Sequence, residues 1–249
     1  MNKILVIGDS CNDVFIYGDC YRLNPEAPTP VLKESHRKEY EGMAANVVNN
    51  VRALGLDCDF ITQKEEIIKT RYVDEKSNYI LLRIDNDNSC TTYPFDTVYF
   101  EKYDLVIVSD YDKGLLKERD LRYIFEHSSL SFIDSKKAIG DWLDKATFVK
   151  INEAEFKNPK NDMEFMLKQN DKFIVTVGDK GAIYQQTLYE PKKHVTVRDV
   201  VGAGDSFLAS LACHYLLHKN MPDAIKFANI CAGEVVAQKG IAFPKQKIV

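Results

Sequence analysis

Residues 3–8 read KILVIG, an unbroken apolar run that stops at a glycine and is followed by Asp9. A strand covered on both faces, as in a parallel sheet, has this pattern. In such sheets the C-terminal end of the strand is the end that meets ligands. Residues 14–17 and 31–40 are β-prone and are separated by a proline-rich connector, residues 24–30 (NPEAPTP). Proline disfavours a sheet interior, so these two segments are expected as partly exposed strands. Ala44, Val47, Val48, Val51 and Leu54 recur at helical spacing and Gly55 follows, which predicts an amphipathic helix over 43–54. Residues 70–73 and 79–84 flank the polar turn DEKSN and predict a hairpin returning to the first two strands, so that four strands make a small sheet.

From Asp104 onward the pattern becomes regular: DLVIVSD, a helix over about 117–126, SFID, TFVKIN, a helix over about 163–169, then FIVTV. Strand and helix in alternation predict an α/β fold around a mainly parallel sheet. A hairpin is expected from 182–186 and 195–198, then Gly202-Ala203-Gly204, a helix over about 205–218 and another over about 222–238. No internal repeat or low-complexity linker interrupts the chain.

The 249 residues carry 33 Lys and Arg against 37 Asp and Glu, a formal net charge of −4, which excludes a strongly basic nucleic-acid binder. Runs such as 4–7 and 105–108 fall far short of the roughly 20 apolar residues that cross a bilayer, and no basic leader with a long apolar region is visible. Neither nucleic acid nor membrane is therefore expected as a partner. Cys11, Cys20, Cys58, Cys90, Cys213 and Cys231 form no CxxC or CxxH pair, so reduced thiols in a cytoplasm are expected.

The candidate chemistry concentrates in Asp199-Val200-Val201-Gly202-Ala203-Gly204-Asp205-Ser206. Two glycines let the backbone turn tightly before a helix whose free amides and positive dipole end suit a phosphate or oxyanion. No Lys-Ser or Lys-Thr follows, so this is not a Walker A loop. Asp205 either favours the first helical turn or accepts a hydroxyl proton beside amides that hold a phosphoryl group. A helix start lowers a carboxylate's pKa, so Asp205 is expected to be a weak base. That suffices where the proton leaves late.

These residues resemble the second signature of the ribokinase-like, or PfkB, carbohydrate kinases, Asp-Thr-x-Gly-Ala-Gly-Asp, with Val200 in place of the threonine. The resemblance implies a ribokinase-like three-layer α/β sandwich with a small β lid, one domain over 1–249 with lid strands from about 14–40 and 69–85. It implies ATP and Mg²⁺, Asp205 as catalytic base and Gly202, Ala203 and Gly204 as the anion hole. Asp9 and Asp13 follow the first strand, where the family holds sugar hydroxyls. Gly42-Met43-Ala44-Ala45-Asn46 resembles Gly-Gly-Ala-Ala-Asn, whose asparagine also holds the sugar. Asp and Asn equally serve as loop caps. Asn152 and Glu155 match Asn-x-x-Glu, which implies water-mediated Mg²⁺ and phosphate binding, although the same spacing makes a capping box. Asp179, Gly181, Asn229 and Gly233 fall where the family lines its nucleotide pocket.

A narrower resemblance is to heptose-7-phosphate kinases of lipopolysaccharide-precursor synthesis. It is carried by RLNPEAPTPV (22–31), SDYDKG (109–114), Lys69-Thr70-Arg71 and Leu82-Arg83-Ile84-Asp85. It implies phosphoryl transfer to the anomeric hydroxyl of D-glycero-D-manno-heptose 7-phosphate, with Lys69, Arg71 and Lys113 meeting the phosphate already present. Solvated surface charge is the plain alternative for these three. Three departures stand out: residues 62–68 are all that remains of a segment usually several tens of residues long, Met43 replaces the second glycine, and Ser135 replaces the proline of Asp-Pro-Lys. No His-x-Gly-His motif is present, so only the kinase half of a bifunctional heptose enzyme is expected. Exposed lid edges imply a homodimer through the lid. Two rivals remain: a non-catalytic sugar-phosphate or nucleotide-binding protein of the same fold, and a Rossmann dinucleotide enzyme. The second lacks GxGxxG at the first strand.

Overall fold

The first strand explains the architecture around it. In the computed structural model, which describes residues 2–86, 89–191 and 195–248, β1 (Ile4–Gly8) is buried along its whole length. Ile4 and Val6 point into one apolar cluster while Leu5 and Ile7 point into another, one on each face of the sheet. An uninterrupted apolar run is what such a position demands.

The chain continues through β2 (Ser10–Leu23), β3 (Pro30–Met43), α1 (Ala44–Ala53), β4 (Asp59–Ile61), β5 (Ile68–Asp74) and β6 (Ile80–Asn86). Then come β7 (Leu105–Asp110), α2 (Glu118–Glu126), β8 (Ser131–Ser135), β9 (Phe148–Asn152), the short helices α3 (Glu153–Phe156) and α4 (Met163–Lys168), and β10 (Phe173–Thr176). The hairpin β11 (Ala182–Tyr184) and β12 (Thr187–Tyr189) and the long helices α5 (Ala203–His218) and α6 (Met221–Val236) complete the described elements. Two sheets result: eight strands in the order β12-β11-β10-β9-β8-β7-β1-β4, and four in the order β3-β2-β5-β6. In the larger sheet the strands from β4 across to β10 pair in parallel and the β11–β12 hairpin is antiparallel. Helices α1, α5 and α6 supply Val47, Val51, Leu208, Leu211, Ile225 and Ala228 to one cluster, and α2 supplies Leu121, Ile124 and Phe125 to the other. This is the expected α/β sandwich, and among the described residues no helix is long and apolar enough to cross a membrane.

The small sheet differs from expectation in extent. Each of β2 and β3 runs for 14 residues. The alternation was obscured because Asp13, on β2, is a buried carboxylate that faces a cavity. The 70–73 and 79–84 hairpin forms as antiparallel β5 and β6, and β5 pairs in parallel with β2. The short 62–67 connection is knit by Gln63, whose side chain accepts from the Ser10 N–H (3.0 Å) and donates to the Ser10 carbonyl (2.7 Å), as a neighbouring strand would.

A second difference is the late hairpin. Residues 195–198 are not its second strand; β11 instead pairs with the nearby β12. Gln185 and Gln186 both take left-handed φ values, 46° and 63°, the geometry of a tight two-residue hairpin turn. The Gln-Gln dipeptide carries none of the Asn-Gly or Asp-Gly signal that announces such a turn. The apolar alternation of Val195 and Val197 lines a cavity rather than a sheet.

Candidate active site

The large sheet's C-terminal edge, the α5 start and the lid enclose three cavities that share walls. The first, about 330 Å³, lies under the lid and is bordered by Asp13, Asn46, Lys69, Arg71, Tyr111 and Asp205, among others. The second, about 570 Å³, shares Tyr111, Lys136, Gly202 and Asp205 with the first. The third, about 370 Å³, shares Thr176, Gly178, Val200 and Gly204 with the second and is apolar, walled by Val195, Val197, Phe207 and Val236. A polar chamber, a chamber at a helix start and an apolar slot therefore lie in series, with Asp205 in the first shared wall.

Asp205 is held from both sides. Asn46 on α1 donates to one carboxylate oxygen (2.8 Å) and the Tyr111 hydroxyl, just past β7, donates to the other (3.0 Å). Burial pushes the carboxyl up to about 6, against the opposing pull of these two hydrogen bonds. The expectation of a lowered pKa is thus corrected: desolvation outweighs the helix start. Gly202, the N-cap of α5, has φ 79°, and a Cβ there would sit 2.9 Å from the Asn46 amide nitrogen. Only glycine lets the turn and the Asn46–Asp205 pair coexist. The Ala203 N–H donates to the Val200 carbonyl (3.3 Å), so it is engaged within the turn. The Gly202, Gly204 and Asp205 amides find no acceptor among the described residues and form the anion-attracting edge.

The other expected residues divide by position. Asp13, Asn46, Lys69, Arg71 and Lys113 border the first cavity. Asp13 and Arg71 form a buried ion pair. Asp9 does not border it: one of its oxygens accepts from the backbone N–H groups of Tyr111 (2.9 Å) and Lys113 (3.2 Å), so the carboxylate holds that loop. Asn152 and Glu155 form a reciprocal capping box at α3, both bonds 2.8 Å, and Glu155 also binds Lys136. Asn152 borders the second cavity even so. Asp179, Gly181, Asn229 and Gly233 border the apolar slot, where the Asn229 amide donates to the Tyr189 carbonyl (2.8 Å).

Met43, the last residue of β3, has φ 60° and ψ −130°, a conformation that suits glycine better than a residue with a side chain. Its sulfur accepts from the buried Lys69 ammonium (2.9 Å), which also lies over the Tyr111 ring. Ser135 is accommodated by donating to Asp110 (2.6 Å).

Several bordering residues, Asp134 among them, escaped the site reading from sequence. Tyr111 and Arg83 lay within quoted motifs, and Lys136 lay next to Ser135, but nothing in spacing showed that they converge. Lys150 had only its place inside the TFVKIN strand; its side chain is buried and donates to Asp134 (2.5 Å).

Comparison with known proteins accords with this geometry. A family model described as "pfkB family carbohydrate kinase" matches residues 94–248. The chain is 30% identical to the "Bifunctional protein HldE" of a Nitratiruptor species, with 96% of this chain and 62% of that protein covered. It is 28% identical to the protein of the same name from Campylobacter fetus subsp. fetus, covering 97% and 64%. The chain thus spans somewhat under two thirds of the length of these relatives. Among solved structures, a ribokinase from Thermotoga maritima superposes with a TM-score of 0.74 at 17% identity, covering 97% of this chain and 95% of that one. An Arabidopsis thaliana ribokinase complexed with ribose and ATP gives 0.72 at 14%, covering 97% and 95%. The fold is ribokinase-like, and with more than half of its length matched, the chain belongs to the pfkB family of carbohydrate kinases, which are phosphotransferases acting on sugars.

Proposed function

We propose that this sugar kinase uses ATP to phosphorylate a sugar that already carries a phosphate, with the anomeric hydroxyl of D-glycero-D-manno-heptose 7-phosphate as acceptor. The observation that carries this reading is Lys69. Lys69 is buried, 6% exposed, and among the described residues it makes no direct ion pair: Asp85, opposite it on β6, acts on it only at longer range, and its hydrogen-bond acceptor is the Met43 sulfur. A buried cation is costly without an anionic partner, and a substrate phosphate provides one. Arg71, Arg83, Lys113 and Lys136 border the same cavity; Arg71 pairs with Asp13, Arg83 with Asp85 and Lys136 with Glu155, whereas the hydrogen bond of Lys69 goes to no carboxylate. The resemblance to heptose-7-phosphate kinases and the two curated relatives support heptose as the sugar.

In this reading Asp13 and Asn46 orient the acceptor, and Asp205 takes the hydroxyl proton as the oxygen attacks the γ-phosphorus. The free amides at the α5 start face the γ-phosphate, and the apolar slot takes the adenine. Asn152, Glu155 and the half-buried Asp134 can offer oxygen ligands, and one Asp134 oxygen has no hydrogen-bond partner. Such a set fits Mg²⁺ held through water, and among the described residues no three acidic, His or Cys side chains converge as direct ligands. When bound, Mg²⁺ neutralises charge on the nucleotide phosphates. The four-stranded sheet acts as a lid on a single kinase domain and excludes water from the acceptor. Its edge strand β6 exposes Ile80, Leu82 and Ile84, which suits a homodimer through the lid. All six cysteines are free, in keeping with a cytoplasmic setting.

The test is ADP release from ATP with phosphorylated and unphosphorylated sugars. Turnover with heptose 7-phosphate, and much weaker turnover with the unphosphorylated sugar, is expected. Equal turnover with both would refute the phosphosugar reading. Tight sugar-phosphate binding without ADP release would mark a non-catalytic binding protein.

A further inference from the structure

Two lysines line the middle chamber, and only one of them is paired with Glu155. Lys136 is 40% exposed at its side chain and is paired with Glu155. Lys150 is different. It projects from the middle of β9 with its side chain 4% exposed; among the described residues its one hydrogen-bond partner is an oxygen of Asp134, and the Asp205 carboxylate lies within electrostatic reach. Its ammonium lies 3.4 Å from where a Cβ on Gly204 would stand, directly beneath the turn whose amides are free. An ammonium has three donors, and Asp134 occupies one. The other Asp134 oxygen is buried without a hydrogen bond, and the Lys136 ammonium is 3.9 Å from it. A buried salt bridge of this kind is weak as a stabilising device, since desolvation offsets most of the attraction. Packing alone therefore gives little reason for a cation here.

We propose that Lys150 is a catalytic residue that contacts the phosphoryl group in flight, an inference that rests on the kinase reading above. Its remaining N–H groups donate to a non-bridging γ-phosphate oxygen from below while the α5 amides do so from above. The acceptor oxygen forms its bond to the γ-phosphorus and the bond from that phosphorus to the β,γ-bridging oxygen breaks. The electron pair leaves with ADP, the hydroxyl proton goes to Asp205, and Lys150 keeps its proton throughout. Charge on the three equatorial oxygens is what such a cation stabilises. Asp134 is then a positioning residue that fixes the ammonium under the turn.

Lys150→Met tests this, together with a double variant, Lys150→Met with Asp134→Asn, that removes both charges and leaves no buried carboxylate unpaired. In both, kcat is expected to fall about 10²- to 10³-fold, as when one oxyanion donor is removed, with the sugar KM within about threefold. Preference for a non-hydrolysable ATP analogue over ADP, measured by calorimetry, is expected to drop about tenfold. Lys150→Arg, which keeps the charge, is expected to retain more activity than Lys150→Met. If the folded double variant keeps kcat within about threefold and the same triphosphate preference, Lys150 is only the counter-ion of Asp134 and the proposal falls. Failure of the unmodified enzyme to release ADP with any phosphosugar would refute the kinase reading instead. The comparison of triphosphate and diphosphate binding would still decide Lys150.

Discussion

Replacing Asp205 by asparagine separates the cost of the proposed base from its use. Asparagine matches the protonated acid in shape and can still accept from Asn46 and donate to the Tyr111 hydroxyl oxygen. In the folded protein burial raises the Asp205 carboxyl from 3.8 to about 6. Between those values the folded state keeps a proton that the unfolded chain has released, so stability falls as pH rises through this window. The cost is complete above about pH 6. At about 1.36 kcal/mol per pH unit, that rise gives about 3 kcal/mol at pH 8, shrinking to roughly half as much at pH 5. Asp205→Asn is therefore expected to raise Tm by about 6–12 °C at pH 8, at about 2–4 °C per kcal/mol for a chain of this size, and by roughly half as much at pH 5. Over the same series kcat is expected to fall about 10²- to 10⁴-fold, the usual contribution of a positioned base. Thermal melts of the two proteins at both pH values, with ADP release alongside, provide the measurement. A variant no more stable than its parent at pH 8, or one with a pH-independent gain, would refute the desolvation argument. Unchanged turnover would remove Asp205 as the base.

For the unmodified enzyme, kcat/KM is expected to decline tenfold per unit as pH drops below about 6, because the base must be ionised in the free enzyme; a flat profile down to pH 5 would contradict this. Lys69→Met is expected to raise KM for the phosphosugar about 10- to 100-fold, the worth of one hydrogen bond to a charged group, while leaving KM for ATP nearly unchanged. Steady-state kinetics with each substrate varied in turn decides it. Gly42→Ala places a Cβ 2.1 Å from an Asp13 carboxylate oxygen and must displace that side chain from Arg71. Urea titration should show a loss of up to about 3–5 kcal/mol, as when a buried ion pair is broken. Leu82→Glu puts a charge on the exposed edge of β6 and, if the proposed lid-to-lid dimer forms, is expected to shift it to monomer in sedimentation velocity without altering the fold; an unmodified enzyme that sediments as a monomer would refute that dimer.

Several residues of the candidate site were legible because they also break a pattern. Gly202 and Gly204 interrupt the chain ahead of α5, and Asp9 and Asp13 interrupt the apolar run of β1 and β2, so the sequence marks them. The lid strands were found but drawn too short, because side chains turned toward a polar cavity do not alternate as those over an apolar core do. The pairing of β11 with β12 was missed since φ > 0 at two glutamines has no compositional mark. Lys150 was hidden for a different reason: inside a strand, a lysine reads as an exposed position unless its neighbours across the sheet are known. Tyr111 and Asn46 were each visible, but their meeting at Asp205 spans 94 and 159 residues, and no local pattern encodes that. The sign of the Asp205 shift depended on burial in the same way.

The joints of the small sheet have a consequence for engineering. A single residue, Asp9, separates β1 from β2, and β3 passes into α1 with no intervening loop, Met43 ending the one and Ala44 opening the other. Asp13 and Asn46 thus sit on either side of seams rather than inside separable parts. A chimaera that grafts this cap from another kinase would join a foreign strand end directly to α1, whose Asn46 grips Asp205. On the proposed reading, acceptor specificity in this scaffold is therefore better altered by point changes at Met43 or Lys69 than by exchange of the whole cap.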